Sequence, residues 1–377
     1  MNSIATLVLK HFGENFSKIS DLKPPFDLNY LVRENIKKLT PYSSARHEFT
    51  GKASVLLDAN ENPYGSPLQD SFNRYPDPLQ WKLKMSVASI KGVPPEHIFI
   101  GNGSDEVIDL AYRIFCDPIK DNVIICPPTY GMYEVSGNIN NVGIKKVNLL
   151  PDFQLNIEGI LSSVDEHTKL LFICSPNNPT GNNINRSDIE FLLNNFPGII
   201  VIDEAYINYS NQKSFIQELT EYPNLIVMQT LSKAWGLAAL RLGLCYTSLD
   251  IIALFNKVKP PYNINEASQE LALEALQNTE QVNIWIKELV NEKVVLINQL
   301  LNFPFVEKIF QSDANFILVK VKDANNLYNY LAQNEVVVRN RSMDVLCDNC
   351  LRITIGTPLE NSQLLILLKQ YEQQSAN

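Results

Sequence analysis

Between residues 95 and 248, short apolar runs rich in β-branched residues alternate with amphipathic helical stretches, and few folds accommodate that alternation. The runs fall at 97–100, 122–126, 168–174, 198–202, 224–229 and 241–246. Strands that alternate with helices build βαβ units, so the pattern predicts an α/β fold around a mostly parallel sheet. Between the first two runs, Val107, Leu110, Ala111, Ile114 and Phe115 recur at helical spacing, with Ser104 placed to cap that helix. Ligands of such sheets gather at the carboxyl ends of the strands. Three consecutive runs end in polar groups: one leads into Asn177-Asn178-Pro179-Thr180-Gly181, one into Asp203-Glu204-Ala205-Tyr206, and one into Thr230-Leu231-Ser232-Lys233-Ala234-Trp235, with Arg241 beyond. An amide, a carboxylate with a phenol, and an amine are therefore expected in one crevice.

An amine beside an acid and hydrogen-bond donors suggests Schiff-base chemistry on a carbonyl cofactor. The turn Gly101-Asn102-Gly103-Ser104-Asp105-Glu106 follows a strand and opens a helix, where free N–H groups favour a phosphate. A tight strand-to-helix turn explains it equally well, and the missing full G-x-G-x-x-G argues against a dinucleotide. Ser232 and Arg241 could complete a phosphate cup. A charge-assisted arginine bond is worth about 1.5–3 kcal/mol against about 0.3–1 for a helix dipole, so Arg241 is expected to matter more. Asp203 ends a strand that should be buried and needs a partner, either a protonated pyridine nitrogen or a structural Arg or Lys. Tyr206 and Asn178 could bond a phenolate oxygen, although N-N-P-T-G is also a plain turn sequence. Tyr130, just past the second run, could stack on a flat ring or pack in the core.

Beyond the alternating region, 257–265 reads as a breaker and hinge, followed by a long helical stretch over about 266–301. The tail predicts strands at 314–321, 336–339 and 351–355 and helices at 323–333 and 359–373, a compact α+β unit. The expected division is an N-terminal extension, arm and start of the small domain (1–65), a large α/β domain (66–257), and a hinge, long helix and small domain (258–377). With 377 residues, 45% of them apolar, the chain can bury a large core. A net charge of -9 argues against nucleic-acid and anionic-membrane partners. No apolar run approaches the roughly 20 residues of a membrane span. The stretch 4–9 is too short for a secretory signal and lacks a basic start. Six scattered cysteines fit reduced thiols, so a cytoplasmic protein is expected. Cys347 and Cys350 form a lone C-x-x-C without a second pair or a nearby His, so no metal is expected.

Several longer motifs run through the chain: R-E-N-I-K-K-L-T-P-Y from Arg33 to Tyr42, L-D-A-N-E-N-P-Y-G from Leu57 to Gly65, P-P-T-Y-G-M-Y from Pro127 to Tyr133, P-P-Y-N from Pro260 to Asn263 and L-R-I-T-I-G-T from Leu351 to Thr357. Together with S-P-N-N-P-T-G, D-E-A-Y and T-L-S-K-A-W, they make the chain from about Asp27 to Tyr371 resemble the fold-type-I pyridoxal-phosphate (PLP) aminotransferases, and among them the histidinol-phosphate branch. That resemblance implies a seven-stranded, mostly parallel large domain, a smaller α+β domain, an N-terminal arm, bound pyridoxal 5'-phosphate and a homodimer. Lys233 would form the Schiff base and shuttle the proton, Asp203 would pair with the pyridinium nitrogen, Tyr206 and Asn178 with the ring oxygen, and Tyr130 would stack on the ring. The backbone of Ser104 and Asp105 would hold the cofactor phosphate with Ser232 and Arg241, beside Thr230, and Tyr64 would reach it from the partner subunit. Arg352 would bind the substrate anion, helped by Arg339, by Asn178 and by Tyr42 of the partner's arm. The implied substrates are L-histidinol phosphate and 2-oxoglutarate, giving imidazole-acetol phosphate and glutamate in histidine biosynthesis.

The chain departs from the family pattern at Ala239, commonly Gly, and at Trp235, commonly Phe; residues 1–25 have no counterpart in it. Alternative readings are a transaminase of aromatic amino acids and a PLP decarboxylase of a phosphorylated amino acid. A PLP-binding regulatory module without turnover is a further alternative, against which stand the complete set of catalytic groups and the lack of a basic helix-turn-helix candidate.

Overall fold

The structure, a computed structural model, describes residues 26–42, 55–68 and 72–375; the extension 1–25 lies outside the described residues. Short helices α1 (Leu28–Leu31) and α2 (Glu34–Lys38) and the helix α3 (Trp81–Lys91) precede the alternating region. That region runs β1 (Ile98–Asn102), α4 (Ser104–Phe115), β2 (Asn122–Ile125), α5 (Met132–Ile139), β3 (Gly143–Lys146), α6 (Ile157–Ser162), β4 (Thr168–Cys174), α7 (Arg186–Asn195), β5 (Ile199–Asp203), β6 (Leu225–Thr230), β7 (Leu242–Thr247) and α8 (Leu249–Val258). Its strands form one seven-stranded sheet in the order β1-β7-β6-β5-β4-β2-β3. All run parallel except β7, which is antiparallel to both its neighbours.

Central strands read as continuous apolar runs because helices cover both faces of the sheet. Side chains alternate between the faces: Leu171, Ile173, Ile200, Ile202 and Val227 enter one core, while Leu170, Phe172, Ile199, Val201 and Ile226 enter the other. The edge strand β3 (G-I-K-K) is partly exposed along its length, so no apolar run announces it in the sequence.

After α8, helices α9 (Glu266–Leu276) and α10 (Thr279–Leu300) lead to β8 (Val306–Ile309), β9 (Phe316–Val321), α11 (Ala324–Gln333), β10 (Arg339–Asn340), β11 (Cys350–Thr354) and α12 (Pro358–Ser375). These strands make a four-stranded antiparallel sheet in the order β10-β11-β9-β8. One face, with Ile317, Val319, Leu351 and Ile353, packs on Leu296, Leu327, Leu331 and Leu364 of the helices. On the other face Phe316 meets Tyr206 edge-on, ring centroids 5.0 Å apart, which sets the small sheet over the carboxyl end of β5.

Three local expectations are corrected. The stretch 266–301 is two helices, because Asn278 leaves helical geometry while its Nδ2 and the Thr279 hydroxyl bond the carbonyls of Glu274 and Leu276. The strand expected at 336–339 shrinks to Arg339–Asn340: the Val336 N–H still closes the end of α11 on the Leu331 carbonyl. Ser104 does not cap α4. Gly103 occupies that position at φ 75°, and no side chain bonds the first N–H groups of the helix. Among the described residues no helix is long and apolar enough to cross a membrane.

Candidate active site

β4, β5 and β6 lie side by side, and at or just past their carboxyl ends stand Asn178, Asp203 with Tyr206, and Ser232 with Lys233. These residues line one cleft of about 450 Å³ together with Ser104, Asp105, Tyr130, Thr230, Arg241, Arg339 and Arg352. Tyr42 and Tyr64 do not line it and are 76% and 97% exposed.

Asp203 closes β5 and is 4% exposed. Its Oδ2 accepts a hydrogen bond from the Tyr133 hydroxyl at 2.7 Å, and its Oδ1 accepts one from the Ala205 N–H at 3.0 Å. The partner inside the protein is thus a phenol rather than a structural Arg or Lys. Burial pushes the Asp203 carboxyl pKa up, while the Tyr133 bond, the Ala205 amide and the Lys233 charge pull against that rise. Glu204 turns away, accepting from the Phe215 N–H at 2.8 Å and from the Gln229 amide at 2.9 Å, so it serves the scaffold.

The turn after β6 is shaped by Thr230, whose hydroxyl donates to the Leu242 carbonyl at 3.2 Å and accepts from the Ser232 N–H at 3.1 Å. Lys233 projects from this turn, still reached by solvent, with Nζ 5.6 Å from the centroid of the Tyr206 ring. The cleft walls lower its pKa by desolvation, and the positive charge of Arg352 lowers it further. A neutral amine is therefore available at lower pH than on a free lysine. Tyr206 is buried, and that burial keeps its phenol protonated and able to donate.

At the other end of the cleft, the start of α4 lies directly on β7. A Cβ on Gly243 would sit 2.3 Å from the Gly103 carbonyl carbon and the Ser104 nitrogen, and one on Gly103 would sit 2.6 Å from the Arg241 guanidinium. The Gly103 N–H donates to the Arg241 carbonyl at 2.6 Å. Asp105 takes Arg241 Nη2 at 3.3 Å on one oxygen and the Tyr130 hydroxyl at 3.1 Å on the other, tying three loops together. Asn263 of the P-P-Y-N motif supports this turn, donating to the Ile100 carbonyl and to Glu106, each at 2.9 Å. Uncapped amides at a helix start, beside a guanidinium, form an anion site.

The small sheet supplies the facing wall. Arg339 and Arg352 are direct cross-strand partners in β10 and β11. Arg352 Nη1 donates to Asn178 Oδ1 at 2.5 Å, while its Nε is buried without a hydrogen-bond partner. Arg341 also lines the cleft. Sequence reasoning passed over Tyr133 and Arg341, although each carries a periodic signal: Tyr133 is three residues past Tyr130, and Arg341 is two past Arg339. The cleft walls thus offer an amine, a buried carboxylate facing it, an anion site at one end and guanidinium groups at the other.

Residues 52–368 match the family described as aminotransferase class I and II. The chain is 50% identical over 346 residues to the histidinol-phosphate aminotransferase of Cytophaga hutchinsonii, an alignment covering 92% of this chain and 99% of that one. Its fold superimposes on the crystal structure of the histidinol-phosphate aminotransferase from Clostridium acetobutylicum with a TM-score of 0.74 at 25% identity, covering 80% of this chain and 92% of that one. The enzyme of the same name from Sinorhizobium meliloti, solved in complex with pyridoxal-5'-phosphate, superimposes equally well (TM-score 0.74, 21% identity), covering 84% and 90% of the two chains.

Proposed function

The chain belongs to the class I and II aminotransferases, in the histidinol-phosphate aminotransferase family, and from that premise we propose the reaction and the roles of its residues. The reaction moves the amino group of L-histidinol phosphate to 2-oxoglutarate, giving imidazole-acetol phosphate and glutamate in histidine biosynthesis. The cofactor is pyridoxal 5'-phosphate. The residues present fit that group. A buried carboxylate whose nearest partners are a phenol and an amide suits a cationic ring nitrogen, and the uncapped start of α4 with Arg241 suits a phosphate.

When bound, the cofactor supplies an electrophilic carbonyl carbon for the amine and a protonated ring that takes up the electron pair released at the substrate α-carbon. Asp203, whose ionised form the Tyr133 bond favours, would hold the ring nitrogen in its protonated form. Tyr206 and Asn178 would orient the ring through its phenolic oxygen, and Tyr130 would stack on it. Ser104, Asp105, Ser232 and Arg241 would hold the phosphate. Lys233, neutral once free, would be the base that takes the α-proton of the substrate and the acid that gives it back, in each half-reaction.

The observation that carries the substrate reading is the pair Arg339 and Arg352, side by side across β10 and β11 on the wall of the cleft that holds Lys233. A guanidinium fork accepts a phosphate monoester and a carboxylate alike, as two half-reactions sharing one site require. Steady-state assays with L-histidinol phosphate, phenylalanine and threonine phosphate test this. Preferred turnover of L-histidinol phosphate supports the reading; preference for phenylalanine makes the enzyme an aromatic transaminase, and carbon dioxide release without a keto acid makes it a decarboxylase.

Tyr64 and Tyr42 have no place in the cleft of their own chain and are exposed. They act in the neighbouring site of a homodimer, Tyr64 on the cofactor phosphate and Tyr42 on the substrate. The proposed division into 1–65, 66–257 and 258–377 is supported at its second boundary, which falls between the strands of the seven-stranded sheet and those of the four-stranded one. All six cysteines are free and buried, which supports a reducing cytoplasmic setting.

A further inference from the structure

The wall formed by the small sheet carries more guanidinium groups than a carboxylate needs. Arg341 follows the pair Arg339–Arg352, and its N–H donates to the Cys350 carbonyl at 2.9 Å, continuing the β10–β11 pairing. The two-residue period of a strand puts 339, 341 and 352 on one side, and all three line the cleft. Arg341 is only partly engaged. Its Nη2 lies 2.7 Å from Asp344 Oδ2, with the two side chains 23% and 31% exposed. The contact is an ion pair without hydrogen-bond geometry, since Asp344 Oδ2 has no hydrogen-bond partner. Arg341 Nε and Arg352 Nε are also buried without hydrogen-bond partners. Buried donors are normally paired, and two unpaired ones on Arg341 and Arg352, which both line the cleft, point to an acceptor that arrives from outside the chain.

The two half-reactions proposed above, on which this inference rests, bring different anions to the wall. A carboxylate offers two oxygens and one charge, which the fork of Arg352 matches. A phosphate monoester offers three oxygens and close to two charges at neutral pH. We propose that Arg341 is the residue that separates the two: it is drawn from Asp344 onto a substrate phosphate and stays with Asp344 when a carboxylate is bound. Asp344 then neutralises Arg341 during the dicarboxylate half-reaction, so the charge of the wall follows the charge of the ligand.

The test uses cofactor-loaded enzyme, so that the cofactor phosphate site is filled. KM for L-histidinol phosphate, KM for 2-oxoglutarate and the inhibition constant of inorganic phosphate are compared between wild type and Arg341→Gln. Loss of a charge-assisted bond should lower the affinity for phosphate-bearing ligands, relative to 2-oxoglutarate, about tenfold or more. Arg341→Lys, which keeps the charge without the fork, should recover part of that ratio. Asp344→Asn, which removes the competing carboxylate, should shift the ratio towards phosphate. Equal loss for both ligands, or an unchanged ratio, overturns the proposal. Inorganic phosphate keeps this inference distinct from the substrate reading. If wild type turned over no L-histidinol phosphate, that reading would fall, whereas weaker phosphate inhibition of Arg341→Gln would leave the discrimination by Arg341 standing.

Discussion

The Tyr133 phenol donates to the Asp203 carboxylate over 2.7 Å, between two side chains that are 0% and 4% exposed. Stacking on Phe172, with centroids 4.8 Å apart and planes 13° from parallel, fixes the Tyr133 ring. The Tyr112 hydroxyl holds its backbone carbonyl at 2.6 Å. The donor is thereby held on a carboxyl group whose pKa burial has raised, and it favours the ionised form.

Tyr133→Phe removes that donor and leaves the Ala205 amide alone. The Asp203 pKa should then rise further, so that as pH falls the carboxylate is neutralised at a higher pH than in wild type. The predicted outcome is a kcat about tenfold lower, since a hydrogen bond to a charged group is worth about 1.5–3 kcal/mol. The acid limb of the pH–rate profile should move towards neutral pH. An acid limb that stays in place would assign Tyr133 to packing alone.

Arg352, the proposed substrate anion site, also acts on Lys233. Its positive charge is the second cause of the lowered Lys233 pKa, so Arg352→Ala should let that pKa rise towards 10.5, its unperturbed value. The rate at which the apoenzyme captures cofactor depends on neutral amine, and its pH profile should therefore shift towards alkaline pH in the variant. Both substrates should bind at least tenfold more weakly, with the visible spectrum of bound cofactor retained. Loss of that spectrum would instead make Arg352 a structural residue.

Gly243 is where backbone meets backbone. In Gly243→Ala the new Cβ would meet the Gly103 carbonyl carbon and the Ser104 nitrogen at 2.3 Å, a contact that only displacement of the start of α4 can relieve. Overpacking of this kind costs about 1–3 kcal/mol. A lowered melting temperature is expected together with a weakened cofactor dissociation constant, because the displaced amides are those offered to the phosphate. A variant that is less stable yet binds cofactor as wild type does would separate the two roles.

Much of this arrangement is legible in the sequence. β4, β5 and β6 are buried throughout, so their apolar runs mark them, and the polar residues that follow each run had to lie at one edge of the sheet. Asn178, Asp203, Tyr206 and Lys233 were accessible for that reason. Strands β3 and β8 were missed because they are short and partly exposed, and the break at Asn278 because one asparagine is a weak stop signal. The roles of Tyr133, Gly243 and Arg341 depend on contacts between distant segments. Tyr133 lies 70 residues from Asp203, and the spacing that sets it beside Tyr130 does not report that pairing.

The proposed sharing of sites between subunits predicts complementation. Lys233→Ala should bind cofactor but give no multiple turnover, and Tyr64→Ala should hold the cofactor weakly. In a mixed dimer the Tyr64→Ala subunit keeps Lys233 and receives the partner subunit's Tyr64, which restores one site. Random reassociation of equal amounts should recover about one quarter of the sites, as expected for a two-fold dimer with shared sites. Activity no greater than the sum of the separate variants would mean that Tyr64 does not act across subunits.

The most direct measurement is the absorption spectrum of the purified, cofactor-loaded protein during titration with L-histidinol phosphate and then with 2-oxoglutarate. The account predicts that the visible band of the lysine-bound cofactor disappears with the first and returns with the second, and that Lys233→Ala shows no such cycle. A band indifferent to L-histidinol phosphate but responsive to phenylalanine would contradict the substrate assignment. No band after addition of pyridoxal 5'-phosphate would contradict the role of Lys233 on which the account depends.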